Sequence, residues 1–223
     1  MKMGKSYLTF TMPLYRILIW GLYPLCALLG CYFVQFDPFG VLGNQMHFMV
    51  TASLLGACII SAEIISDYFI FGGAYCKLAN KMDFLKTSEN GKRMYFNALV
   101  MDSVRKWLLV LTVNVVNVLM GYLGLGSWCM ESEIYSVVCS SLLTILVSAI
   151  GTIIARFAAR STINFVLGTT MNFAFTLFMM VCCSFDTRLK NVLAVVVLAV
   201  LSIAVTVFGI WFALKKWEET YYD

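Results

Sequence analysis

The chain has 223 residues, of which 61% are hydrophobic and 13% charged, with a formal net charge of +4. Soluble domains run at about 45–50% apolar and about 25% charged, and a globule of this size must still cover itself with polar surface. Composition therefore excludes an ordinary soluble domain, a disordered chain and a nucleic-acid-binding domain, and the mean hydropathy of +0.85 points to a bilayer.

Crossing roughly 30 Å of hydrocarbon takes about 20 apolar residues. Six runs qualify, at about 14–36, 46–72, 107–126, 135–157, 162–184 and 191–214. They are continuously apolar, whereas barrel strands would alternate with period two. The expected fold class is an all-α membrane protein: one domain, 1–223, with six transmembrane helices.

Before the first run, Lys2, Lys5, Tyr7, Leu8, Phe10 and Met12 form a basic, amphipathic lead ending at Pro13. It is expected to lie in the membrane interface. Within the first run, Leu28-Leu29-Gly30-Cys31 is like a lipoprotein cleavage box. The apolar stretch continues through Tyr32-Phe33-Val34, so the run is read as a retained span. His47, the one histidine, opens the second run, where a structural role is expected.

The second run carries Glu63 and Asp67, spaced i,i+4 on one helix face. At a rise of about 1.5 Å per residue, Glu63 lies about 25 Å along, near the inner edge. Arg156 and Arg160, also i,i+4, end the fourth run at the same depth. The residues leave two readings open: inter-helix ion pairs that fix packing, or a cation-attracting gate at the inner mouth.

The long loop, 74–106, follows. Leu78, Met82 and Leu85 recur on one helix face, Thr87-Ser88-Glu89-Asn90-Gly91 is a turn, and an approach helix leads into the third run. Its apolar helix either docks a soluble partner or lies on the bilayer surface. Deeper polar residues are neutral. Asn114 and Asn117 share a face of the third span, Thr144 and Ser148 of the fourth, Asn172 and Thr176 of the fifth. They are candidates for inter-helix hydrogen bonds or for lining a path. Small residues at Ala52, Gly56, Gly151 and Ala155 allow close helix approach.

Fourteen of the 16 Lys and Arg fall on one set of flanks and only Arg188 and Lys190 on the other. The positive-inside rule then places both termini and the 74–106 loop in the cytoplasm. The eight cysteines show no CxxC pattern, so a metal centre is not expected. A disulfide among the outer Cys31, Cys129, Cys182 and Cys183 stays open. There is no GxxxxGK[ST], HExxH or GxSxG motif, so no enzyme activity and no bound cofactor are expected in the chain.

Six spans, two inner termini, an amphipathic lead and one long inner loop resemble the ABC-2 type permeases, the membrane halves of type-II ABC exporters. The local resemblance lies in Met82-Asp83-Phe84-Leu85-Lys86-Thr87-Ser88-Glu89-Asn90-Gly91-Lys92-Arg93: an apolar coupling helix, a small-residue turn, then a basic residue and a helix returning to the membrane. Family members often carry a proline in that turn, where this chain has Glu89-Asn90.

The resemblance implies a coupling helix over about 78–86. Leu78, Lys81, Met82, Asp83, Phe84, Leu85 and Lys86 would meet a separate cytosolic ABC ATPase, which holds the ATP and Mg. It also implies a second permease chain, identical or not, and multi-pass residence in a bacterial plasma membrane. The small size is similar to that of exporters for lantibiotics and other amphipathic peptides. The alternatives are a secondary carrier or channel, for which inverted repeats would be expected, and a non-transporting assembly or immunity protein.

Overall fold

The computed structural model describes residues 3–36, 47–75, 83–125, 131–158, 161–184 and 192–222, and nearly all of these are helical, with no strand among them. Helix α1 spans Met3–Phe10. Helix α2 (Pro13–Ile17) starts on a proline, which needs no amide partner in a first turn, and runs through a π turn at Leu18–Leu22 into α3 (Tyr23–Phe36). Then come α4 (His47–Tyr75), the short α5 (Asp83–Thr87), α6 (Gly91–Leu125), α7 (Glu131–Ala158), α8 (Ser161–Ser184) and α9 (Val192–Tyr222).

Four stretches are long and apolar enough to cross a membrane: Pro13–Phe33, Leu54–Gly72, Val137–Phe157 and Val192–Glu219. They mark the chain as a membrane protein. The other two expected runs, 107–126 and 162–184, fall in α6 and α8, and α8 contains the shorter apolar helix Phe165–Phe178. The apolar stretches of α4 and α7 are each 56% buried and that of α9 only 11%, so α4 and α7 form the centre and α9 the rim. Residues such as Leu193, Val200 and Val207 on α9 and Phe165 and Phe173 on α8 are exposed. An apolar surface of that extent is suited to lipid rather than water.

Cross-helix contacts give the direction of each helix. Tyr23 Oη donates to the Ile59 carbonyl at 3.4 Å, while Gly30 meets Leu55, so α3 and α4 are antiparallel. Phe71 packs on Tyr95 and Glu63 bonds Arg105, so α4 and α6 are antiparallel. Ser61 Oγ donates to the Gly168 carbonyl at 3.1 Å and Gly56 meets Phe175, which makes α8 antiparallel to α4. Gly56 meets Thr144 and Ile64 meets Gly151, so α7 runs parallel to α4. Ser202 Oγ donates to the Leu142 carbonyl at 3.1 Å and Gly209 meets Ile153, so α9 runs parallel to α7. The starts of α2, α6 and α8 and the ends of α4, α7 and α9 therefore share one end of the bundle.

That end is closed by aromatic packing. Phe10 of α1, Phe71 of α4, Tyr95 of α6 and Trp217 of α9 pack together, with Tyr95 and Trp217 stacked at 4.7 Å. The amphipathic lead packs on α6 and on this cluster, with Tyr7 and Phe10 buried. Trp217 is 4% exposed. The sequence pattern fits an interfacial aromatic at that position equally well, because burial against protein and burial at a headgroup layer both favour the indole.

The long loop resolves, over its described part, into α5, a turn and the start of α6. Ser88 N donates to the Leu85 carbonyl at 3.3 Å and Gly91 N to the Ser88 carbonyl at 2.9 Å. A methyl group on Gly91 would stand 1.7 Å from the Leu85 carbonyl oxygen, so only glycine fits there. Gly91→Ala should open this turn and loosen α5. Limited proteolysis should then cut between residues 83 and 93 several-fold faster, whereas Gly4→Ala, with nothing within 4 Å of the added methyl, should not change the pattern.

Candidate functional site

The most distinctive chemistry is a layer of buried ions beneath the aromatic cluster. It is assembled from α4, α6 and α7, with a tyrosine from α1. Glu63 and Asp67 on α4 are each 1% exposed. Burial of single charges on that scale is prohibitive, so each must be paired. Glu63 takes a two-pronged grip from Arg105: Nη1 donates to Oε1 at 2.9 Å and Nη2 to Oε2 at 2.6 Å. The planar guanidinium matches the carboxylate in this geometry. Arg105 also donates to Asp102 Oδ1, from Nε at 3.2 Å and from Nη2 at 3.0 Å. Lys106 Nζ lies 3.0 Å from Asp102 Oδ2 and 3.6 Å from Glu63 Oε2.

One turn further along α4, Asp67 is held by Arg156 of α7, with Nε donating to Oδ2 at 3.0 Å and Nη2 to Oδ1 at 2.5 Å. Arg156 Nη1 donates to the Gly209 carbonyl of α9 at 3.3 Å, and its guanidinium stands 5.7 Å from the Phe71 ring centre. Among the described residues, three carboxylates thus meet three cations. Tyr7 Oη donates to Asp102 Oδ1 at 3.1 Å and ties α1 to the same group. Burial, and then the neighbouring Asp102 charge, raise the Tyr7 phenol well above its ordinary value, so it stays a donor. Burial also pushes the Asp102 carboxyl upward, but the charges of Lys106 and Arg105 outweigh it and hold the group well below the usual carboxylate range.

The sequence pattern places Glu63 and Asp67 opposite Arg156 and Arg160. Asp67 meets Arg156, but Glu63 turns to Arg105 on α6. Residues four apart are offset by about 40° around a helix as well as by one turn, and α4 lies between two neighbours. The two acids can therefore face different helices. Arg160 lies outside the described residues. Asp102, Arg105 and Lys106 are the members that the sequence reading assigned to the loop. Their spacing of i, i+3 and i+4, next to an apolar run, is the signal that could have found them.

Of the loop residues, Leu78, Lys81 and Met82 lie outside the described residues, and Asp83, Phe84, Leu85 and Lys86 fall in α5. Leu85 packs against the aromatic cluster, and the Lys86 ammonium stands 5.8 Å from the Trp217 ring centre. Lys92 also pairs with Glu218 of α9; both are exposed, and such pairs contribute little, about 0–1 kcal/mol. Asn117 is fully buried, and Asn114 Nδ2 donates to the Val110 carbonyl at 2.9 Å. Thr176 bonds to Asn172 within half-buried α8. These two asparagine-bearing faces sit on helices that pack separately around α4 and α7, rather than on one shared surface. Cys31 is a free, buried thiol that faces the Val113 carbonyl; Cys129 lies outside the described residues.

Compared with family models, curated proteins and solved structures, the chain matches none.

Proposed function

We propose that the chain is the membrane-spanning subunit of an ATP-driven ABC exporter of the ABC-2 type. In this reading it has six spans, with both termini and α5 in the cytoplasm of a bacterial cell. Two permease chains form the path, and a separate cytosolic ATPase docks on α5. The substrate is an amphipathic peptide of the antimicrobial or toxin kind. The chain binds no nucleotide itself; ATP and Mg stay on the ATPase.

The observation that carries the reading is the α5–turn–α6 unit. A five-residue helix is held by the Gly91–Leu85 contact at the end where α1 and the last turns of α9 meet. It continues into a 35-residue helix that bears Asp102, Arg105 and Lys106. A push on α5 would travel along a stiff rod to ion pairs that hold α4, and through Arg156 to α7 and α9. The Lys and Arg described in the structure all lie toward this same end, which agrees with its being cytoplasmic.

Purification of the tagged chain in mild detergent should recover a P-loop ATPase. Phe84→Asp should reduce that recovery about tenfold or more, as expected for loss of an apolar anchor, while leaving the permease melting temperature within a few degrees. No ATPase in repeated gentle purifications, or undiminished recovery with Phe84→Asp, would overturn the assignment and favour a carrier or an assembly factor.

A further inference from the structure

Between α6, α7 and α9 lies a cavity of about 40 Å³. Its polar lining includes Ser103, Lys106, Ser148, Thr152, Arg156 and Thr206. The hydroxyls are already committed as donors. Ser103 bonds the Leu99 carbonyl, Ser148 that of Ile145, Thr152 that of Ala149 and Thr206 that of Ser202, at 2.7–2.9 Å. Each hydroxyl has one hydrogen and two lone pairs. What they turn to the cavity is therefore acceptor capacity, which suits an occupant that can donate.

Charge narrows the choice. Lys106 is paired with Asp102, and Arg156 with Asp67. Asp102 lines the cavity as well, so the charges at its wall are already paired and leave no net charge to draw in an ion. The fit is to a small neutral donor. A water needs about 10–15 Å³ of such space, so the cavity holds about three. Along α7 the polar side chains continue at four-residue spacing: Ser140, Thr144, Ser148, Thr152 and Arg156, all buried. Further along, Ser140 Oγ and, on α6, Asn114 Oδ1 have no hydrogen-bond partner among the described residues. Buried polar atoms left that way are ordinarily satisfied by ordered water.

We infer that this cavity is a water-filled vestibule, continuous with the aqueous phase at the ion-pair end, which carries water to the polar seam of α7. Lys106 marks its margin: it lines the cavity, is paired to Asp102, and still keeps 15% of its side chain exposed. The α6–α7–α9 interface is then hydrated rather than dry.

Silver ion is small enough to follow water and reacts with thiolate, which forms only where water reaches the sulfur. Ser148→Cys on α7 and Thr206→Cys on α9 place thiols on two walls, and Ile150→Cys and Ile154→Cys place them on the exposed apolar face of α7. The full chain in membranes is treated with silver, then denatured and labelled with maleimide, with each cysteine peptide read separately by mass spectrometry. Silver should block position 148 or 206 about tenfold faster than 150 and 154, in line with the thiolate requirement. Equal or slower blocking at both cavity positions would overturn the proposal. Either wall alone suffices if the other variant does not fold.

Discussion

Arg105→Met is expected to abolish recovery of folded chain, or to lower its melting temperature by more than any other single charge removal. Arg105 makes four hydrogen bonds, two to Glu63 and two to Asp102. Methionine fills much of the space but leaves two buried carboxylates with Lys106 as their one remaining cation among the described residues, 3.6 Å from Glu63, and the Tyr7 hydroxyl on Asp102. Breaking a buried pair by deleting one partner costs about 3–5 kcal/mol, against a typical total of about 5–15 kcal/mol. The double variant Glu63→Gln/Arg105→Met should recover part of the loss, because the unpaired charge goes with the arginine. Arg105→Lys should recover less than wild-type stability, since an ammonium cannot reproduce the fork. Fluorescence-detected gel filtration after heating reads all four. A melting temperature for Arg105→Met within about 2 °C of wild type, a shift of at most about 1 kcal/mol, would show that the layer is not a stabilising element.

Gly151→Leu is expected to separate α4 from α7. A methyl group on Gly151 would stand 2.3 Å from Ile64 Cδ1 and 2.9 Å from Ile64 Cγ1, and Ile64 is fully buried. Overpacking of this kind costs about 1–3 kcal/mol by itself. Here it also displaces Asp67, one turn from Ile64, from Arg156, so the two losses add. Trimming the obstacle with Ile64→Ala in the same chain should restore much of the stability; no restoration would mean that the clash is not the cause. The same heating assay applies.

How much of this was legible in the sequence depends on which interaction did the placing. Apolar length located the helices, and the small residues Gly56, Gly151 and Ala155 did mark the close α4–α7 approach. The Asp67–Arg156 pair was legible because both residues end apolar runs at the same depth. The Glu63–Arg105 pair was not. Arg105 precedes its apolar run and reads as a loop cation, and only the unbroken course of α6 from Gly91 lifts it to the level of Glu63. Tyr7 was legible as part of an amphipathic helix, but an amphipathic face does not say whether lipid or protein will cover it. The donor-spent hydroxyls on α7 depend on rotamers, which no spacing rule encodes.

The aromatic cluster has a consequence for biosynthesis. Chains are made from the N-terminus at about 5–20 residues per second, and their early segments begin to fold first. Phe10 leaves the ribosome well before its partner Trp217, which is added only after α2 to α8 have been made. Until then, α1 can bond Asp102 but lacks one wall of its aromatic seat. The last turns of α9 therefore act as a latch, completing the seat of α1 only once every other helix described here has been synthesised.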